Sequence, residues 1–202
     1  VQLNDLGNSL VLEGEYAEAR PLYERALQSY ERRLGVESDG ATTAVYNLGI
    51  VNARLGDSTE ARRLFDRAIA SWTRMRPSNP QKVARALTAL AEMLAEAGLD
   101  VEAKPIYERA LKIREQTLEP LHRDVARTLT LLATTEAKLG HLTRAIELST
   151  RATAIWNRSK EKDSRRAADA MVVHGTLEAS QGNYQDAQAS YDRALLILRT
   201  IV

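Results

Sequence analysis

Between Ala44 and Met75 the residues fall into two stripes of helical spacing. Val45, Leu48, Asn52 and Leu55 make the first, and Leu55-Gly56-Asp57 interrupts it. Ala61, Leu64, Phe65, Ala68, Ile69 and Trp72 make the second. Steps of i, i+3, i+4 and i+7 put such side chains on one face, so the segment predicts an amphipathic helical hairpin. The glycine in the break best tolerates the left-handed conformation that ends a helix.

The hairpin recurs along the whole chain. Gly14, Gly56, Gly98, Gly140 and Gly182 stand at one step of 42 residues (56 − 14 = 42). Ala19, Ala61, Ala103, Ala145 and Ala187 keep it, as do Ala26, Ala68, Ala110, Ala152 and Ala194. Three series in register across 202 residues predict an all-α stacked solenoid, in which each unit buries its apolar face against its neighbours. Ten helices are expected, a first and a second in each of five units of one domain. The approximate boundaries are 1–40, 41–82, 83–124, 125–166 and 167–202. The alanines allow close helix approach, with Tyr23, Phe65, Tyr107 and Tyr191 filling the space beside them. Ser149 stands at that position in the fourth unit, where looser packing is expected. Breaker chemistry marks the linkers Gly35–Gly40, Pro77–Pro80, Glu119–His122 and Lys160–Ser164.

Composition narrows the function classes. Lys and Arg number 28 against 27 Asp and Glu, without the basic excess of a nucleic-acid binder. Cysteine is absent, which excludes disulfides, thiolate metal sites and a Cys nucleophile, and fits a cytoplasmic setting. No apolar run approaches the roughly 20 residues of a membrane span. The chain starts Val1-Gln2-Leu3 without Met and is read as a piece of something longer. His122, His141 and His174 occupy different repeat positions, so neither a metal site nor a triad is suggested. No HExxH, phosphate-binding glycine loop or Gly-x-Ser-x-Gly occurs, and neither enzyme activity nor a cofactor is expected.

The landmark residues identify a resemblance. Leu3-x-x-Leu6-Gly7 followed by Ala19, Tyr23 and Ala26 resembles the tetratricopeptide repeat, as do Leu48-Gly49 with Ala61, Phe65 and Ala68. Leu90-Ala91, Leu132-Ala133 and His174-Gly175 continue the series. The ordinary repeat of that family is about 34 residues and closes with a proline. Here the position holds Glu31, Thr73, Glu115, Asn157 and Arg199, so the second helix can run on and lengthen the period. The stretch Glu102–Glu115, continuing through Leu118–Ala126, resembles the kinesin light chain subclass. The resemblance implies a right-handed superhelix acting as a protein-interaction scaffold or adaptor, with a peptide or helix bound in a concave groove lined by first helices. The alternative is a regulatory or structural arm of a larger signalling or enzyme protein.

Carried over position by position, the groove would hold Asn4 and Asn8, then Tyr46, Asn47, Ile50 and Arg54, then Arg85, Thr88 and Glu92. Arg127, Thr130, Thr134, Lys138, Val172 and Thr176 complete it. Arg85 and Arg127, one period apart, would stack as a basic ladder near Lys138 and suit an acidic or carboxylate-bearing peptide. The family's chaperone-tail clamp is incomplete, because Asn4 and Ala89 replace two of its three cations. The kinesin light chain asparagine survives as Asn4 and Asn47, and Ala89, Leu131 and Val173 replace it afterwards. Trp72 and Trp156 share one repeat position and are read as packing residues rather than binding hot spots. The apolar stretch Ala194–Val202 is expected either to be followed by further helices or to meet another copy.

Overall fold

The computed structural model describes residues 2–75, 77–159 and 161–201. Val1 and Val202, and Lys160 of the fourth predicted linker, lie outside the described residues. Ten helices follow in order: α1 Gln2–Glu13, α2 Tyr16–Leu34, α3 Asp39–Arg54, α4 Ser58–Arg74 and α5 Pro80–Glu96, then α6 Asp100–Thr117, α7 Arg123–Lys138, α8 Leu142–Arg158, α9 Arg165–Ser180 and α10 Tyr184–Thr200. The fold is the expected all-α helical repeat. The chain forms two compact units, Val1–Met93 and Leu94–Val202.

Every hairpin turn is built by the same hydrogen bonds. Gly56 N–H donates to the Ala53 carbonyl at 3.2 Å, and Asp57 N–H reaches back to Asn52 at 2.9 Å. The pair recurs at Gly14, Gly98, Gly140 and Gly182. This helix-ending motif requires a left-handed residue, and the five glycines have φ between 77° and 86°. The absent closing proline has the expected effect, since Glu31, Thr73, Glu115, Asn157 and Arg199 all lie inside second helices of 17–19 residues.

All ten alanines of the two series are at most 3% exposed. Between them, Tyr23 and Phe65 press on the glycine of the Leu-Gly landmark. A Cβ on Gly7 or Gly49 would come within 2.8 Å of those rings, so each glycine is there to admit the aromatic. Gly40 corrects the sequence reading. It is no linker breaker but lies in the first turn of α3, where a Cβ would meet the Tyr30 ring at 2.7 Å. Ser149 is likewise not loosely packed: it is 1% exposed and its hydroxyl lies 2.9 Å from His174 Nδ1. Two departures from the repeat pattern are thus each other's partners.

Candidate functional site

In the first unit α1 and α3 bring three asparagines together. Asn47 Nδ2 lies 3.4 Å from both Asn4 Oδ1 and Asn8 Oδ1. Tyr23, wedged against Gly7, donates its hydroxyl to Asn8 Oδ1 at 2.8 Å. Burial pushes the Tyr23 hydroxyl up to about 12, so it remains a donor throughout the ordinary pH range.

One turn along, an aromatic shelf carries two cations. Tyr46 lies 5.7 Å from Trp72 and 6.0 Å from Phe65, centroid to centroid, with both pairs tilted. The Arg85 guanidinium, projecting from α5, stands 4.7 Å above Tyr46 and 6.0 Å from Trp72. Lys82 stands 5.6 Å from Trp72 and binds Asp39 Oδ2 at 2.6 Å, while Trp72 Nε1 donates to Asp39 Oδ1 at 3.0 Å. Burial works against ionisation of Asp39. The hydrogen bonds from Lys82 and Trp72, together with the positive charges of Lys82 and Arg85, outweigh it and hold the carboxyl below its usual range. Among the described residues no hydrogen bond or ion pair occupies Arg85. Its guanidinium lies over the ring and the residue as a whole is exposed.

The other predicted residues of this unit differ in exposure. Arg54 is exposed and Ile50 and Glu92 are half-buried. Thr88 is 1% exposed and donates to the Ala84 carbonyl, which removes it from any ligand surface.

The second unit treats its predicted residues differently. Thr130 and Thr134 donate back to carbonyls of α7, and Thr176 donates to Val172 O while accepting from Tyr191. Such back-bonded hydroxyls are already satisfied. Lys138 Nζ donates to Ala95 O at 3.2 Å and lies 3.4 Å from Asp100, so it is committed to the neighbouring turn. Arg127 is half-buried and Val172 exposed.

Sequence reasoning missed Asp39 and Lys82 and placed Trp72 in packing alone. It also missed Glu136, a buried carboxylate 3.0 Å from Lys104 and 2.6 Å from His141. Burial raises the Glu136 carboxyl, yet the His141 and Lys104 bonds prevail and leave it below the usual range. A signal was present. Pairs ten residues apart meet across three of the joints: Tyr30 with Gly40, Trp72 with Lys82 and Arg114 with Asp124. Among the described residues no group of three or more His, Cys, Asp or Glu could hold a metal ion, and no helix is long and apolar enough to cross a membrane.

The family described as Tetratricopeptide repeat matches residues 1–74, 82–158 and 132–200. No curated protein matches in sequence. Among solved structures, a Podosopora anserina putative kinesin light chain with nearly identical TPR-like repeats is 18% identical with a TM-score of 0.78, covering 99% of this chain and 95% of that one. BtubC (BKLC) from P. vanneervenii is 22% identical with a TM-score of 0.85, covering 99% and 80%. YrrB, a TPR protein with an unusual peptide-binding site, is 21% identical with a TM-score of 0.59, covering 98% and 85%. These likenesses establish the fold.

Proposed function

Because the chain belongs to the tetratricopeptide repeat family, with repeats of the kinesin-light-chain-like kind, we propose that it is a protein-interaction scaffold whose first unit receives an acidic peptide. The observation that carries this reading is Arg85, an exposed residue held over Tyr46 with no acceptor among the described residues. A guanidinium fixed in this way loses little freedom on binding and offers paired donors to a carboxylate. Asn4, Asn8 and Asn47 would bind the peptide backbone beside it, with Ile50 and Arg54 extending the contact. In the second unit Arg127 and Val172 would contribute less, because the hydroxyls of Thr130, Thr134 and Thr176 already donate to their own helices. No catalytic step is assigned.

Selection from a displayed peptide library tests the reading. Peptides rich in Asp and Glu should be enriched, and Arg85→Ala should weaken the selected peptide by about tenfold or more. Asn47→Ala should weaken it regardless of peptide charge. Enrichment of neutral peptides, or acidic peptides indifferent to Arg85→Ala, would overturn it.

A further inference from the structure

At the joint around Trp72, donors and carboxylates answer each other. Trp72 Nε1 and Lys82 both donate to Asp39. Arg74, two residues after Trp72, donates to Glu37 Oε1 at 2.7 Å. Two carboxylates two residues apart, at the entry to α3, thus satisfy an indole and two cations.

Two periods on, each of these donors is kept and both carboxylates are gone. Trp156, Arg158 and Arg166 stand at the positions of Trp72, Arg74 and Lys82. Leu121 and Arg123 stand at those of Glu37 and Asp39. The loss is visible at every donor. Trp156 is 1% exposed, and its Nε1 has no hydrogen-bond partner among the described residues. Buried N–H groups are rarely left in that state. Arg158 and Arg166 are exposed and, among the described residues, have neither a hydrogen bond nor an ion pair.

Neighbouring carboxylates do not fill the gap. Glu161 pairs with Arg123, Asp169 lies 3.8 Å from Arg165, and Asp163 accepts from Arg193 at 2.9 Å. Leu121, Arg123 and Arg158 line one open cleft between the loop before α7 and the loop after α8. Glu119 also lines it but is not paired with Arg158. Trp72 Nε1 points at residue 39, and the same step along the chain leads from Trp156 to Arg123. The unpartnered indole N–H is therefore directed toward the cleft wall.

We propose that this cleft binds an acidic segment of a partner protein, whose two carboxylates take the places that Glu37 and Asp39 fill at the first joint. One accepts from Trp156 Nε1 and Arg166, and the other from Arg158. The backbone of residues 121–123 occupies the place of residues 37–39, so the segment enters from the solvent side. Arg123 and Glu161 pair on the surface, where such a pair is weak, so Arg123 turns aside at little cost. The two arginines without partners offer forked donors matched to carboxylates.

The chain holds two tryptophans, so an isotope-labelled sample shows two indole N–H signals by NMR, which Trp156→Phe assigns. The probe is the capped tripeptide acetyl-Glu-Ser-Asp-amide, the sequence of residues 37–39. Titration should move the Trp156 signal downfield to saturation. The Trp72 signal should stay in place, because Asp39 already holds that indole. Arg158→Ala and Arg166→Ala should each weaken binding by about threefold or more, with the Trp72 signal reporting a folded chain. Arg123→Asp should shift the Trp156 signal before any peptide is added and abolish the response. Arg85→Ala should leave the Trp156 titration unchanged, so that this site and the one at Tyr46 fail independently. Absence of saturable movement overturns the proposal, as does equal movement with the neutral acetyl-Gln-Ser-Asn-amide. Inorganic phosphate binding as tightly as the tripeptide, or binding indifferent to both arginine substitutions, overturns it as well.

Discussion

The joint around Trp72 and the joint around Trp156 occupy the same repeat positions two periods apart, yet carry opposite chemistry. In the first, Asp39 accepts from the indole and from Lys82, and Arg85 stacks on Tyr46. In the second, Arg123 replaces Asp39, Thr130 replaces Tyr46 and Asp169 replaces Arg85. Arg123 pairs with Glu161 instead, and Trp156 Nε1 is buried with no hydrogen-bond partner among the described residues. Both tryptophans are at most 1% exposed. Apolar bulk fills both of these joints, while the polar groups around it differ. The aromatic shelf with its cation occurs where the first arrangement occurs.

The largest effect should come from removing the shared bulk. Trp72→Ala and Trp156→Ala should each cost about 3–5 kcal/mol in urea denaturation, because each empties a packed site. A much smaller loss at Trp156 would mean that the two joints differ in packing as well as in polarity.

Next comes the buried charge of the second unit. Glu136→Gln should cost about 3 kcal/mol, since Lys104 and His141 lose the carboxylate they share. The depressed Glu136 carboxyl contributes stability that is present above the unfolded value of about 4.3 and lost as pH falls through the lower folded value. An acid titration of stability should therefore be flatter in Glu136→Gln than in the parent. An identical acid limb in both proteins would remove Glu136 from the account.

Phenylalanine separates the two indoles directly. Trp72→Phe should cost about 1–2 kcal/mol more than Trp156→Phe, because only Trp72 loses a hydrogen bond and leaves a charged acceptor short of a donor. Equal costs would show that the Trp156 N–H is satisfied in solution.

The smallest effect would sharpen the contrast by converting one joint toward the other. Arg123→Asp should stabilise the chain by a net of about 0.5 kcal/mol, because the acceptor it supplies to Trp156 is worth about 1 kcal/mol. The exposed Arg123–Glu161 pair it removes is worth less, about 0.5 kcal/mol. A fall in the denaturation midpoint would count against the equivalence of the two positions.

The repeat was legible because its signals are local. A glycine at φ near 85° and an alanine every 42 residues report backbone geometry and close helix approach, which depend on a few neighbouring atoms. The placement of the residues assigned to a groove was legible only in part. Asn4, Asn8 and Asn47 do meet, but Thr88 turned inward, because its hydroxyl could bond to its own helix and its methyl could be buried. Ser149 was read as a packing weakness because its hydrogen bond to His174 joins different repeats and is not visible in either one alone.

By itself, the sequence determined the ten helices, their turns, their register and the family, since hydrophobic period and turn chemistry act over a few residues. Only the tertiary structure decided which polar groups are spoken for. Lys138 is bound to a neighbouring turn and Glu136 is buried between a lysine and a histidine, while the exposed Arg85 rests on an aromatic ring. Those outcomes depend on distances between residues of adjacent helices, and an electrostatic or hydrogen-bonding partner exists only once those helices have packed.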